Sequence, residues 1–231
     1  NVDVVHYPYF DPFFLTLPIA HVKPTVVTVH DLIPLIFPDK FPRGIRGALK
    51  WNIQRLALRN VKRIIADSEN SKRDIIKIVG FSERQISTVH LAPDPRVVAG
   101  AKNGSRKERF FLYVGDLNWN KNIHGLLEGF SRVAARVNLV VVGRAFLDEK
   151  LPEAIAVREH VEKRNISTRV KFLGYVSDKK LGALYASSWG CVFPSYYEGF
   201  GLPVLEAMAC GTPVITSFGS SLDEIAGPAI R

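Results

Sequence analysis

The sequence predicts an α/β protein made of two doubly wound parallel-sheet domains, and two observations predict it. From about residue 110 onward, short β-branched apolar runs alternate with Gly-containing or polar loops and with helical patterns. These runs are continuously apolar, as in strands that are buried on both faces of a helix-covered parallel sheet. The first half of the chain carries runs of the same kind. We expect both domains to be incomplete in this chain.

The predicted elements of the second half follow one another as pairs of a strand and a helix. We predict strands at residues 111–114, 139–142, 170–173, 191–193 and 214–216. The helices that follow them are predicted at 123–133, 153–163, 178 onward, 203–209 and 222–226. Ser177 is a typical N-cap with Asp178 in the first turn behind it, so the third of these helices begins there.

The first half gives a shorter series of elements. We predict strands at 2–5, 25–29, 63–66 and 86–89, with helices at 43–59 and 71–79. Residues 92–109 are rich in Pro, Gly, Asn and charge and show little hydrophobic periodicity, so they form the predicted linker. The boundary therefore falls near residue 100, with one domain at 1–100 and the other at 101–231.

The composition excludes several classes of protein. With 47% hydrophobic residues among 231, the chain can bury real cores, which excludes disorder and collagen. No apolar stretch approaches the roughly 18 to 20 residues that span a bilayer. Cys191 and Cys210 lie in apolar runs, so we expect no disulfide framework and a cytoplasmic protein. The chain starts at Asn1 without a signal-peptide pattern, and we interpret it as part of a longer protein.

Positive charge is concentrated in one segment. The net charge is +9, and residues 40–73 hold ten basic and two acidic side chains, 10 − 2 = +8. Apolar residues at helical spacing among these cations predict a basic amphipathic helix at 43–59. Its apolar stripe consists of Ile45, Leu49, Ile53 and Leu56.

Three interpretations of this helix stay open. The favoured one is a surface helix whose apolar stripe packs against its own domain and whose basic rim is solvated. The second is peripheral contact with the anionic inner face of a membrane. Nucleic-acid binding is the least favoured, because no recognition motif is present and no aromatic residues are interleaved with the basic ones.

Ligands of open α/β sheets bind beyond the carboxyl ends of the strands, so the loops there are informative. The loop after the strand at 191–193 contains Gly199 and Gly201, which let backbone approach a ligand closely. It leads into a helix whose first N–H groups suit a phosphate. Because a carboxylate repels a phosphate, we place Glu198 and Glu206 on sugar or ribose hydroxyls. The alternative is that Glu206 complements the helix dipole and Glu198 is a loop charge.

The segment EGFGLPVLE at 198–206 resembles the glutamate-x7-glutamate motif of the family 4 glycosyltransferases, which are retaining enzymes of the GT-B fold. GT-B enzymes have two Rossmann-like domains. Further matches occur in the same order along the chain: DVVH at 3–6, TVHDL at 28–32, ADSENS at 66–71, YVG at 113–115, KN at 121–122, FLG at 172–174 and ACGTPVI at 209–215. Relative to the family, the chain is similar to a fragment without the N-terminal start and the last C-terminal helices.

The resemblance implies roles for individual residues. Glu198 and the amides of the four residues after it would hold the donor sugar and diphosphate; those residues are Gly199, Phe200, Gly201 and Leu202. Glu206 would bind the ribose, and Lys121 would neutralise the diphosphate. The family usually has Arg directly after the glycine of its first C-terminal strand, but here Asp116 follows Gly115, and Asn120 replaces a common Arg. Arg144 is the candidate that compensates.

His30 matches the family histidine that contacts the donor sugar near the reaction centre, so His30 and Glu198 are the predicted catalytic residues. No nucleophile is assigned, and Glu198 is not one. The sequence lacks an Asp-x-Asp pair and a cluster with metal-ligand spacing, so we predict a metal-independent reaction without a cofactor. The nucleotide sugar is then a co-substrate.

The implied function is transfer of a hexose from a nucleotide-diphosphate sugar, of the GDP-mannose or UDP-sugar type, to a glycan or lipid-linked hydroxyl. Such an acceptor would place the protein in polysaccharide biosynthesis. Four other interpretations stay open: a nucleotide-sugar-binding module without turnover, a sugar-nucleotide epimerase, a glycan phosphorylase, and an RNA binder that uses the basic patch.

Overall fold

A computed structural model describes residues 2–105 and 109–227 of the chain. Two compact units are present. The first extends to Leu91 and also includes Glu198–Phe200, and the second comprises Ala92–Tyr197 and the chain from Gly201 onward. Within the described ranges, none of the helices combines the length and the apolar character needed to cross a bilayer.

The first unit is a four-stranded parallel sheet with helices between the strands. Its strands are β1 (Val5–Tyr7), β2 (Thr25–Val29), β3 (Arg63–Ala66) and β4 (Ile86–Thr88), paired in the order β1-β2-β3-β4. Its helices are α1 (Ile33–Ile36), α2 (Gly44–Arg59) and α3 (Glu69–Val79). Val27, Ile64 and Ile75 are fully buried in one core, which joins the sheet to its helices.

The second unit is a five-stranded parallel sheet. Its strands are β5 (Phe110–Val114), β6 (Asn138–Val142), β7 (Val170–Leu173), β8 (Gly190–Phe193) and β9 (Val214–Thr216). Its helices are α4 (Pro95–Gly100), α5 (Ile123–Ser131), α6 (Pro152–Lys163), α7 (Asp178–Ser187), α8 (Leu202–Ala209) and α9 (Leu222–Ala226). The strand order β7-β6-β5-β8-β9 reverses direction at β5. That reversal is the point at which open α/β sheets bind ligands.

Both faces of the second sheet are covered, as the continuous apolar runs predict. On β6, Leu139 and Val141 belong to the core shared with α5 and α6. The alternate residues Val140 and Val142 belong to the opposite core, with Tyr185 of α7 and residues of α8. Since successive side chains of a strand point to opposite faces, an unbroken apolar run is required here. The predicted two-sheet, doubly wound fold is therefore confirmed.

Polar caps fix several of the helix starts. Ser177 accepts a hydrogen bond from the backbone N–H of Lys180 and caps α7, as predicted. Ser68 does the same for the N–H of Ser71, so α3 starts at Glu69, two residues before the predicted start. Gly80, with φ 89°, ends that helix in the left-handed conformation that glycine adopts at little cost.

Two predicted segments need correction. The first strand, expected at 2–5, lies at Val5–Tyr7, where it pairs with β2. The segment 92–109, which looked like an unstructured linker, contains α4. Asp94 accepts a hydrogen bond from the N–H of Arg96, and Pro95 occupies the first turn. A helix of six residues is too short to show helical periodicity, so the pattern missed it.

The packing face of α2 also differs from the favoured prediction. Ile45, Leu49 and Leu56 of the predicted stripe are 91%, 62% and 46% exposed. The face that packs on the sheet instead consists of Gly47, Trp51, Gln54, Ala57 and Leu58. Its centre is a polar residue, Gln54, which is fully buried because its amide binds the backbone of a neighbouring loop. Because a glutamine is not counted as apolar, the hydrophobic pattern of α2 did not identify the face that packs on the sheet.

We expect Gly182→Ala to destabilise the second unit by about 2 kcal/mol or more, because a methyl group there would overlap the carbonyl oxygen of Val97 in α4. Gly129→Ala in α5 is the matched control. A Cβ at Gly129 meets no atom within 4 Å, so the added helix propensity should stabilise by about 0.5–1 kcal/mol. Urea unfolding of both variants measures the difference, and equal stabilities would contradict the α4–α7 packing.

Candidate functional site

The carboxyl ends of β5, β6 and β8 carry the candidate donor-site residues of the second unit. Lys121 follows β5, Arg144 follows β6, and Gly201 and Leu202 follow β8. Because these three strands are parallel neighbours around the reversal at β5, their ends lie at one edge of the sheet. The structure thus places these predicted residues on the same edge.

Two asparagines tie the loop after β5 to the loop after β8. The side-chain amide of Asn120 donates to the carbonyl of Tyr197 at 2.9 Å, and the N–H of Tyr196 donates to the carbonyl of Asn120 at 2.7 Å. The amide of Asn122 donates to the carbonyl of Pro194 at 3.1 Å. Asn120 is only 4% exposed. Asn120 therefore holds the two loops together.

The two predicted cations lie near aromatic rings. The Lys121 ammonium is 5.3 Å from the centre of the Phe193 ring, at the end of β8. The exposed Arg144 guanidinium is 4.8 Å from the centre of the Tyr175 ring. Both distances fall within the range of cation–π attraction. Lys121 is thereby positioned beside the strand from which the Gly-rich loop emerges.

Gly201 shapes the start of α8. It is the N-cap, with φ 108°, a left-handed conformation that disfavours side chains. A Cβ there would also lie 2.9 Å from a methyl carbon of Leu222. Leu202 is the first helical residue, so Pro203 occupies the second position and not the predicted first. Pro203 has no N–H, and the N–H of Val204 donates to the carbonyl of Gly201 at 2.9 Å, so among the first three helical residues only Leu202 keeps an N–H that intrahelical bonding does not use.

Glu206 is a buried carboxylate, 7% exposed, in α8. The hydroxyl of Tyr185, which is itself fully buried, donates to its Oε2 at 3.2 Å. Burial raises the pKa of Glu206 above its usual value, while the hydrogen bond from Tyr185 lowers it. Sequence reasoning gave Tyr185 no role in the site. A tyrosine on the buried face of a helix could have indicated this contact, because a buried tyrosine hydroxyl needs a hydrogen-bond partner.

His30 lies at the end of β2, at the carboxyl edge of the first sheet. Its Nδ1 is 2.6 Å from Oδ2 of the buried Asp67, and its Nε2 is 3.1 Å from the carbonyl oxygen of Pro8. The Asp67 hydrogen bond raises the pKa of His30 above 6.5, although partial burial opposes it. Since both ring nitrogens face oxygen acceptors, the doubly protonated imidazolium satisfies both contacts.

Gly199 belongs to the first unit and packs against the end of β2. Its carbonyl accepts hydrogen bonds from the hydroxyls of Ser68 at 2.6 Å and Ser71 at 3.0 Å. A Cβ at Gly199 would lie 2.7 Å from the carbonyl oxygen of His30 and 2.7 Å from Cβ of Asp31. Only glycine fits this approach. The two serines lie in the ADSENS segment, to which sequence reasoning gave no role.

The neighbours of Gly199 are also buried. Glu198 is 6% exposed and Phe200 is 6% exposed, with the Phe200 ring centre 6.0 Å from that of His90. Glu198 is therefore a buried residue of this loop. Among the residues that the structure describes, no three or more His, Cys, Asp or Glu side chains are grouped so that they could hold a metal ion.

Family models match both halves of the chain. Residues 99–230 match the model described as glycosyl transferases group 1, and residues 1–96 match the model described as Glycosyltransferase Family 4. The first match alone covers more than half of the chain. The chain therefore belongs to the group 1 glycosyltransferases, as the resemblance at 198–206 implied.

Curated relatives agree with this family. The chain is 32% identical over 241 residues to the O-antigen chain mannosyltransferase B of Escherichia coli, covering 98% of this chain and 61% of that protein. It is 32% identical over 194 residues to the O-antigen chain mannosyltransferase RfbU of Salmonella typhimurium, covering 83% and 51%. The chain thus spans between half and two thirds of the length of these relatives.

Solved structures share the fold. A sucrose-phosphate synthase from Thermosynechococcus elongatus superposes with a TM-score of 0.69 at 26% identity, over 87% of this chain and 52% of that one. The Anabaena protein HepE, solved in complex with UDP-glucose, gives a TM-score of 0.68 at 21% identity, over 87% and 55%. The second likeness supports the fold alone.

We expect Asp67→Asn to lower the pKa of His30, because the charged acceptor on Nδ1 is lost. The raised pKa stabilises the folded protein fully below pH 6.5, and this stabilisation is lost as the pH rises through the higher folded-state value. An NMR titration of the His30 ring measures the shift. Asp39→Asn, at an exposed position of the same unit, should leave the titration unchanged. An unaltered His30 pKa in Asp67→Asn would refute the imidazolium assignment.

We expect Tyr185→Phe to raise the pKa of Glu206 further, since the hydroxyl that stabilises the carboxylate is removed. A raised carboxyl pKa makes stability fall as the pH rises above the unfolded-state value of 4.5. The variant should therefore resemble the wild type in acid and lose about 1–3 kcal/mol once Glu206 is ionised.

Urea unfolding across this pH range tests the Tyr185 prediction. Tyr196→Phe is the control, because that side chain is 54% exposed and stacks on Trp119 at a centroid distance of 5.0 Å. Its stability should differ from the wild type by the same small amount at every pH. A Tyr185→Phe deficit that does not depend on pH would show that the hydroxyl does not act on the Glu206 carboxylate.

Proposed function

We propose that the protein containing this chain is a retaining glycosyltransferase that moves a hexose from a nucleotide-diphosphate sugar to a glycan or lipid-linked hydroxyl. The observation that carries the proposal is the buried carboxylate of Glu206. It lies in α8, after the N-cap residue Gly201, and accepts a hydrogen bond from the hydroxyl of Tyr185. A buried carboxylate just past an anion-binding helix start suits a ligand that joins a phosphate to a diol.

In this proposal different residues bind the diphosphate, the ribose and the transferred sugar of the donor. The diphosphate would bind the N–H of Leu202 at the start of α8 and the ammonium of Lys121, which lie at the same edge of the second sheet. Glu206 would accept hydrogen bonds from the ribose hydroxyls. Glu198 and the backbone of Gly199 and Phe200 would hold the transferred sugar, and Arg144 would supplement the positive charge.

Transfer needs positioning and charge stabilisation in this proposal, and no nucleophile from the protein. The bond between the anomeric carbon and the diphosphate oxygen breaks, and a bond to the acceptor oxygen forms on the same face. The acceptor proton passes to the departing phosphate oxygen, so the products are a glycoside and a nucleoside diphosphate. Lys121 and the α8 dipole would stabilise the leaving group in the place of a metal ion.

His30 would act through its charge. As an imidazolium with Asp67 on one nitrogen and the Pro8 carbonyl on the other, it has no free lone pair to accept a proton. In that doubly protonated form it would not be the base that takes the acceptor proton. Its ring is half-exposed, and in this proposal the charge of the ring would act on the donor sugar, as the family resemblance implies.

Three further points complete the proposal. The names of the Escherichia coli and Salmonella relatives favour a mannosyl donor, with a UDP-sugar as the alternative. The donor side lies in residues 101–231 and the acceptor side in residues 1–100. Cys191 and Cys210 are both free thiols, which supports a cytoplasmic location.

One observation favours a second candidate, a nucleotide-sugar-binding module without turnover. Asp116 is exposed after β5, where the family usually has an arginine. An acidic side chain at that edge of the sheet weakens the positive field that a departing diphosphate requires. Binding without hydrolysis or transfer, restored to turnover by Asp116→Arg, would support this candidate.

Calorimetric titration of the full chain with GDP-mannose and UDP-glucose in chelator tests the main proposal. We expect one of them to bind, with affinity reduced at least about tenfold in Lys121→Ala, the loss of about 1.4 kcal/mol. Lys150→Ala, which removes an exposed lysine elsewhere in the same unit, should bind normally. Binding that requires a divalent cation would refute metal independence, and equal affinity in both lysine variants would refute the Lys121 assignment.

A further inference from the structure

Two aromatic side chains form a stacked pair at the carboxyl edge of the second sheet. Trp119 follows β5 and Tyr196 follows β8, and their ring centres lie 5.0 Å apart with an angle of 30° between the ring planes. Tyr196 is 54% exposed, and Trp119 is partly exposed. We call these two side chains the aromatic pair. Together they offer a flat apolar surface to a ligand.

Hydrogen bonds join the two loops that carry the aromatic pair. The N–H of Tyr196 donates to the carbonyl of Asn120, and the side chain of Asn120 donates to the carbonyl of Tyr197. The side chain of Asn122 donates to the carbonyl of Pro194. The pair is therefore arranged before a ligand arrives, which reduces the conformational entropy that is lost on binding.

The loop that carries Trp119 also has exposed polar side chains. Asp116 and Asn118 are exposed and lie within three residues of Trp119 in the sequence. A carboxylate accepts hydrogen bonds from hydroxyls, and an amide both donates and accepts them. An aromatic face beside such groups suits a molecule with one apolar face and several hydroxyls.

A pyranose ring is a molecule of this kind. Its axial C–H groups carry partial positive charge, so they are attracted to the negative face of an aromatic ring. Its hydroxyls point outward from the edge of the ring, where polar side chains can reach them. We propose that the aromatic pair binds a sugar ring of the glycan acceptor. The choice of an acceptor glycan as the occupant rests on the proposed function.

The topology separates the aromatic pair from the position proposed for the nucleoside. Glu206, the proposed ribose ligand, lies in α8 and bonds Tyr185 of α7, and these two helices pack on one face of the second sheet. Trp119 begins the turn that leads into α5, which packs on the other face. Since the base is attached to the ribose, the pair is better placed for a sugar of the acceptor.

A protein partner fits this surface less well. Two aromatic side chains bury at most about 500 Å² together. Stable protein–protein interfaces bury at least about 1,200 Å². The aromatic pair with its polar neighbours therefore matches a small ring better than a second protein.

Tryptophan fluorescence of the full chain tests the proposal, because Trp119 is one of three tryptophans. We expect an α-linked mannotriose to change the emission and to reach saturation. Tyr196→Ala should weaken this binding by about tenfold, since one of the two stacked rings is lost. Tyr196→Phe keeps the ring and should bind mannotriose as the wild type does.

Trp189→Ala is the matched control. Trp189 is a tryptophan of the same unit that is 41% exposed, and the Arg109 guanidinium lies 5.4 Å from the centre of its ring. Its removal should leave the affinity for mannotriose unchanged. Thermal unfolding of Tyr196→Ala should stay close to that of the wild type, because Tyr196 is largely exposed.

Three results would overturn the proposal. The first is no saturable response of the folded chain to mannotriose. The second is equal affinity for mannotriose in the wild type and in Tyr196→Ala. The third is a loss of GDP binding in Tyr196→Ala together with no response to mannotriose, which would assign the aromatic pair to the base of the donor.

The calorimetric titration with nucleotide sugars separates this inference from the proposed function. Donor binding that depends on Lys121, together with no response to mannotriose, would refute the role of the aromatic pair alone. Mannotriose binding that depends on Tyr196, together with no donor binding, would support the sugar subsite and refute the proposed donor site.

Discussion

The parallel pairing of strands is the constraint on which both units depend. Parallel neighbours require a crossover between them, and the crossovers cover both faces of the sheet with helices. The same arrangement gathers the carboxyl ends of the strands at one edge. Lys121, Arg144 and Gly201 are distant in sequence and share the edge of the second sheet for this reason. His30 and Ser68 share the edge of the first sheet in the same way.

Each unit contains a buried carboxylate with a hydrogen-bonding partner. Asp67 and Glu206 are carboxylates with little exposure, and each is held by one ring-bearing partner, His30 or Tyr185. The effects on pKa differ because His30 is titratable and the Tyr185 hydroxyl stays neutral. Asp67 raises the pKa of the His30 imidazole, whereas the neutral hydroxyl of Tyr185 only partly offsets the rise that burial causes in the pKa of Glu206.

Close backbone approach at glycines connects packing to the site. Gly199 is pressed against the end of β2, Gly201 adopts a left-handed conformation at the start of α8, and Gly182 lets α7 lie against α4. In α2, by contrast, a polar residue lies at the centre of the packing face. Gln54 hydrogen-bonds the backbone of the loop that carries Phe14, and three apolar residues of α2, Ile45, Leu49 and Leu56, face outward.

The sequence by itself determined the fold class and most of the elements. Strands such as β2 and β7 and helices such as α9 lie at their predicted bounds, because burial on both faces leaves an unbroken apolar run that local pattern reading detects. It also placed Glu198, Gly199 and Glu206 in a motif. Only the tertiary structure decided which side of α2 is buried, that residues 95–100 are helical, and that Tyr185, Asp67, Ser68 and Ser71 hold the site residues. Those contacts join residues 21 to 131 positions apart in the chain, and no local pattern of hydrophobicity records a hydrogen bond over such a separation.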